Sequence, residues 1–113
     1  MKKRKFGHHN DLLSIVGLGG ISIKNIGQEG SNSLVNYAFD NGVNYFDVAP
    51  GYGDAQELMG KSLKAIRKDI FLACKTPSRN SKKSQEDLEN SLKLLKTDYF
   101  DLYQLHGMKS EKD

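Results

Sequence analysis

Four side chains in this 113-residue sequence have the repertoire of an acid–base site: the carboxylate of Asp47, the phenol of Tyr52, the amine of Lys75 and the imidazole of His106. Brought together, such groups can donate a proton, hold it poised and polarise a nearby oxygen, which are the tasks of general acid–base catalysis. Taken singly, each has a plainer reading: Asp47 as a loop cap, Tyr52 as a turn aromatic, Lys75 as a solvated strand end, His106 as a surface imidazole. Their common placement argues for a site. Asp47, Lys75 and His106 each close a β-prone segment, and Tyr52 follows Asp47 by five positions. In (β/α) barrels the C-terminal strand ends are where reacting groups gather.

Other chemistries fit less well. Gly17-Leu18-Gly19-Gly20-Ile21-Ser22 fails the G-x-G-x-x-G dinucleotide pattern, because Ser22 stands where the third glycine belongs. The next helical pattern also starts some way downstream, so a pyrophosphate would not meet its N-terminus directly after the glycines. No Walker A sequence occurs. Cys74 is the sole cysteine, which excludes an internal disulfide and cysteine-based metal motifs. His8 and His9 are adjacent and lack companion ligands, so they read as a surface turn, and no metal site is expected.

The elements that must carry the four residues follow from periodicity. Residues 13–18 form a short apolar run ending at Gly19-Gly20 and read as a first strand, with 6–12 open to reading as the arm of an N-terminal hairpin. After a glycine-rich loop, Ser31-Asn32 offer a cap for a helix with Leu34, Tyr37, Ala38 and Asn41 at helical spacing, stopping at Gly42. The β-rich segment 43–47 predicts a second strand. Asp54 with Glu57 predicts a capping box for a helix burying Leu58, Met59, Leu63 and Ile66. Segment 69–75, with its continuous Ile70-Phe71-Leu72-Ala73-Cys74, predicts a strand covered on both faces. Segment 81–95 places Leu88, Leu92 and Leu95 on one helical stripe, and 99–106 predicts a fourth strand.

The order β-α-β-α-β-α-β with short connections demands parallel strands joined by right-handed crossovers, hence an α/β fold, though pattern alone leaves a barrel segment and an open doubly wound sheet both standing. Period-2 alternation puts Tyr45 with Asp47, Ala73 with Lys75, and Gln104 with His106, so the three polar ends are expected to point into one mouth.

Composition points to a folded chain: 37% hydrophobic and 27% charged residues without a low-complexity run. The formal charge of +3 owes much to Lys2, Lys3, Arg4 and Lys5, read as a solvated tail, and the remainder is close to neutral, so no nucleic-acid partner is expected. No apolar run approaches the ~18 residues of a membrane span, and no signal segment opens the chain, so a cytoplasmic location is expected.

Three segments, in order, carry a resemblance. Phe46-Asp47-Val48-Ala49-Pro50-Gly51-Tyr52-Gly53 with the following Gly60, then Leu72-Ala73-Cys74-Lys75-Thr76, then Asp101-Leu102-Tyr103-Gln104-Leu105-His106-Gly107 resemble the successive signatures of the aldo-keto reductase family. Lys75-Thr76-Pro77-Ser78-Arg79 is most similar to a microbial branch that often carries a C-terminal iron–sulfur domain, although no cluster cysteines are present here. The resemblance implies a (β/α)8 barrel, NADPH as cofactor and a small aldehyde or ketone as substrate. It implies a catalytic tetrad of Asp47, Tyr52, Lys75 and His106, with Gly19, Gly20 and Asp47 at the nicotinamide end of the cofactor. In that scheme Tyr52 gives the proton, the Lys75 ammonium stabilises the phenolate, Asp47 supplies the counter-charge, and His106 orients the carbonyl.

The family barrel has eight strands, and four are legible here, so residues 1–113 are expected to form its N-terminal half and to be inactive alone. Two further expectations stand beside this one. The half-barrel would assemble with a copy of itself or with a separate second half, or it would serve as a non-catalytic binding subunit.

Overall fold

The computed structural model describes residues 1–8 and 10–113, so His9 lies outside the described residues, while His8 sits in an exposed turn as expected. The chain opens with an antiparallel hairpin of β1 (Lys3–Lys5) and β2 (Leu12–Ser14). There follow β3 (Leu18–Gly19), α1 (Gly27–Asp40), β4 (Tyr45–Asp47), α2 (Ala55–Leu63), β5 (Phe71–Thr76), α3 (Ser81–Leu94) and β6 (Leu102–Leu105). Strands β3-β4-β5-β6 make one sheet in that order, all neighbours parallel. Four parallel strands with three crossover helices are half of a (β/α)8 barrel. No helix among the described residues is long and apolar enough to cross a membrane.

The two faces of the sheet are covered differently. Phe46, Leu72 and Cys74 point outward into a core with Ile23, Val35, Met59, Leu63 and Leu95 from the helical layer. Fully burying a side chain such as Phe46 is worth about 1.5–3 kcal/mol, so this layer holds most of the stability. On the other face Tyr45, Phe71, Ala73 and Leu102 meet Phe6 and Leu13 of the hairpin. Because Phe71 opens β5, the hairpin plugs the N-terminal end of the strands and leaves the opposite end open. Asn44 fastens it there, accepting from Ser14 N (2.7 Å) and donating to Leu12 O (2.8 Å).

Several expectations are corrected at this level. Residues 13–18 are not one strand: the side-chain oxygens of Ser14 and Asn44 each accept from the other's backbone N–H, the chain bends, and the run divides between β2 and β3. The basic segment is not a free tail, since Lys3–Lys5 is β1, although its side chains stay in water. Helix α1 begins before Ser31, which is buried and shares a hydrogen bond with Ser62 of α2 at 2.7 Å instead of capping, and Tyr37 faces solvent. Asp54 occupies the N-cap of α2 without capping it, because its carboxylate accepts from Asn25 N at 2.9 Å. Gly42 does end the first crossover helix, in a left-handed conformation (φ 95°) that suits glycine.

Candidate active site

Asp47 is the last residue of β4 and Lys75 the penultimate residue of β5, while His106 follows β6 directly and Tyr52 lies in the loop between β4 and α2. Register staggers the three strand ends evenly: Asp47 pairs with Ala73, two residues before Lys75, Lys75 pairs with Gln104, two before His106, and His106 N donates to Thr76 O at 2.9 Å. All four expected residues therefore converge at the end of the sheet opposite the hairpin.

Their contacts are specific. Lys75 Nζ donates to Asp47 Oδ2 at 2.5 Å and stands 5.7 Å from the centre of the Tyr52 ring. The Tyr52 and His106 rings meet edge to face, 5.9 Å apart at 82°. Lys75 is 9% exposed, and burial alone disfavours its ammonium, yet the Asp47 carboxylate and the Tyr52 hydroxyl outweigh that and raise its pKa above the ordinary lysine value. The same field reaches Tyr45, whose phenol is raised by burial and by Asp47, with Lys75 opposing. The second carboxylate oxygen, Asp47 Oδ1, is buried and, among the described residues, meets no donor. An orphaned acceptor of this kind costs stability unless a ligand or water completes it.

An open cleft of about 610 Å³ runs along the free side of β3, lined by Gly17, Leu18, Gly19, Tyr45 and Asp47 and, lower down, by the hairpin. Tyr52, Lys75 and His106 do not line it, whereas Asp47 belongs to both groups. Asp47 is thus the hinge between the proton-handling cluster and the cleft. Gly19 borders open space, whereas Gly20 is buried, and a Cβ there would come within 2.9 Å of Asp47 O, so glycine lets the turn lie against the base of the site.

Two supports went unread in the sequence. Arg67 donates to Asp101 Oδ2 (3.1 Å), Thr97 Oγ1 (3.0 Å) and Tyr99 O (2.8 Å) and stacks on Tyr99, and Asp101 also accepts from Leu72 N (2.8 Å), which locks the entry to β6 against β5. Asp87 of α3 accepts from the hydroxyls of Thr76 (2.7 Å) and Ser78 (2.6 Å), which hold its carboxyl below the usual range and pin the turn after Lys75. Apart from the Asp101-Leu102-Tyr103 motif, no local spacing announces either cluster, because the partners lie far apart in sequence.

The family model described as the aldo/keto reductase family matches residues 15–113. The chain belongs to the aldo/keto reductase family. It is 38% identical to the oxidoreductase YqkF of Bacillus subtilis over 95% of this chain and 39% of that protein. It is 32% identical to methylglyoxal reductase DkgA of Salmonella typhimurium over 77% of this chain and 32% of that protein. Among solved structures, the holo form of aldo-keto reductase AKR11C1 from Bacillus halodurans superposes with a TM-score of 0.85 at 32% identity, covering 96% of this chain and 41% of that one. The chain thus spans between about a third and two fifths of the length of these relatives, and the half-barrel expected from the sequence agrees with that superposition.

Proposed function

We propose that this chain carries the proton-transfer apparatus of an NADPH-dependent carbonyl reductase acting on small aldehydes or ketones. The observation that carries the reading is the placement of Lys75 Nζ, held by Asp47 at 2.5 Å and facing the Tyr52 ring at 5.7 Å, with His106 edge to face against the same ring. Tyr52 is the proton donor. As its proton leaves for the substrate oxygen, the ammonium beside it stabilises the phenolate. Asp47 keeps that ammonium charged and oriented despite its burial, and His106 positions the carbonyl oxygen and steadies the charge that develops on it.

The residues present fit the nicotinamide end of the cofactor. Asp47 Oδ1 is a buried acceptor in want of a donor, and Gly19 leaves open space beside it. Asp47 and Gly19 would hold that end, with Gly20 setting the turn. Bound there, the cofactor supplies a hydride to the carbonyl carbon. The substrate class is in keeping with the methylglyoxal reductase relative, and completion of the barrel is assigned to a second half-barrel, whether a continuing chain or a separate one.

The test is to join residues 1–113 to the second barrel half of the Bacillus halodurans relative and to follow NADPH consumption with methylglyoxal. Turnover that disappears in Tyr52→Phe is expected. A folded hybrid that binds NADPH yet reduces no aldehyde or ketone would overturn the reading, in favour of a non-catalytic binding subunit.

A further inference from the structure

The turn that follows Lys75 is held unusually firmly and reaches back to His106. Thr76 and Ser78 both donate their hydroxyls to Asp87, Ser78 N donates to Thr76 Oγ1 at 3.1 Å, and Asn80 caps α3 by accepting from Lys83 N at 2.9 Å. Arg79 stands on this anchored turn. Its Nη1 donates to Pro77 O (3.3 Å) and Ser78 O (3.1 Å), and its Nη2 donates to His106 O (2.5 Å). The guanidinium therefore joins the turn after Lys75 to the end of β6, across 27 residues of sequence.

That bond matters because of where the strand ladder stops. The N–H of His106 donates to Thr76 O, but the chain then turns away at Gly107 (φ 70°), and among the described residues no other donor meets the His106 carbonyl. One peptide plane of His106 is fixed by the sheet, and the other is fixed by Arg79. An imidazole can point only where its Cα–Cβ bond allows, and both planes together set that direction.

Resting on the proton-transfer reading above, we infer that Arg79 is a positioning residue for His106. It touches no reacting group and acts through the backbone. A planar fork with donors on both terminal nitrogens serves three carbonyls at once, whereas a lysine at the same position offers a single point charge and cannot span them. The requirement is strict, since a displacement of about 1 Å of a substrate-orienting group costs on the order of 10²-fold in rate.

The test reads geometry and needs no turnover. The Tyr52 ring lies edge to face with His106, so ring current displaces the imidazole proton resonances of His106 in the 113-residue chain. With histidine-labelled protein, Arg79→Met is expected to abolish that displacement and the Tyr52–His106 cross-peaks while β4 and β5 amides keep their shifts. Arg79→Lys is expected to fall between. If Arg79→Met fails to fold, Arg79→Lys decides: a partial loss supports the assignment, and an unchanged His106 overturns it. A folded Arg79→Met with the wild-type displacement also overturns it. Either result is independent of the hybrid-barrel assay, so this inference and the functional reading fail separately.

Discussion

The chemistry turns on how an ion pair, a phenol and an imidazole share a small space. Lys75 is nearly buried and would be costly to keep as an ammonium without Asp47, and Asp47 would be left unpaired without Lys75. In the completed barrel, Tyr52→Phe removes only the hydroxyl and keeps the ring against His106, so kcat is expected to fall by about 10²–10⁴-fold with NADPH affinity unchanged. Lys75→Met strikes the same proton transfer from the other side. The double variant should lose less than the sum of the two, because both act through one donor. Steady-state kinetics of the four-member cycle measure this, and strict additivity would show that lysine and tyrosine serve separate steps.

Elements place these residues, and here sequence and structure part in an instructive way. The strand ends bearing Asp47, Lys75 and His106 were legible because a parallel strand needs only a short β-rich run and its parity follows from counting. The start of α1 was not legible, because Ser31 has the chemistry of a cap but is used to bond Ser62 across two helices, a tertiary partner that no local pattern contains. The division of residues 13–18 was hidden likewise, depending on Asn44 some 30 positions away. The convergence of Arg67 on Asp101 escaped for the same reason, and Arg79 was read only as part of a motif. One residue taken from the family signature finds its physical cause at this scale. Gly60 lies where α2 crosses the end of α3, and a Cβ there would stand 2.5 Å from Leu94 O and 2.9 Å from Leu95 Cα. Backbone cannot give way as a side chain would, so Gly60→Ala is expected to cost about 1–3 kcal/mol, read as a lower urea midpoint with unchanged slope. An alanine variant as stable as the parent would mean that the helices are not packed this closely.

At the scale of the whole molecule, the buried ionisable groups set an alkaline limit. Lys75 has a raised pKa, so its stabilising pair with Asp47 is fully present below the ordinary lysine value of 10.5 and is lost as pH climbs through the folded value. Tyr103 acts in the same sense. Burial, reinforced by Cys74 and Asp87, pushes its phenol up to about 12 from 10.0, so the unfolded chain ionises there first and unfolding gains between those values. Among the described residues no group meets its buried hydroxyl in hydrogen-bond geometry, although the Thr76 hydroxyl lies close enough to oppose the shift, so Tyr103→Phe should leave neutral-pH stability nearly unchanged and flatten the fall above pH 10. Thermal midpoints across that range provide the check, and a variant with the parent's slope would remove Tyr103 from the account.

The open half-barrel also bounds what this chain does with a cofactor. Asp47 and Gly19 line the cleft beside β3, but that cleft is open to solvent, and its lower part is hairpin. In a (β/α)8 barrel, phosphate is commonly bound by loops after the last two strands, and the strands described here correspond to the first four. A dinucleotide meeting only the nicotinamide end gains a few hydrogen bonds, set against the loss of its translational and rotational freedom. Calorimetric titration of the 113-residue chain with NADPH is therefore expected to give a dissociation constant weaker than about 0.1 mM, and the hybrid barrel one far tighter. The Asp47→Asn chain would then differ little from the parent, since little binding remains to be lost. Low-micromolar binding by these 113 residues would place the pyrophosphate on them and move the cofactor site away from the later strands of the family barrel.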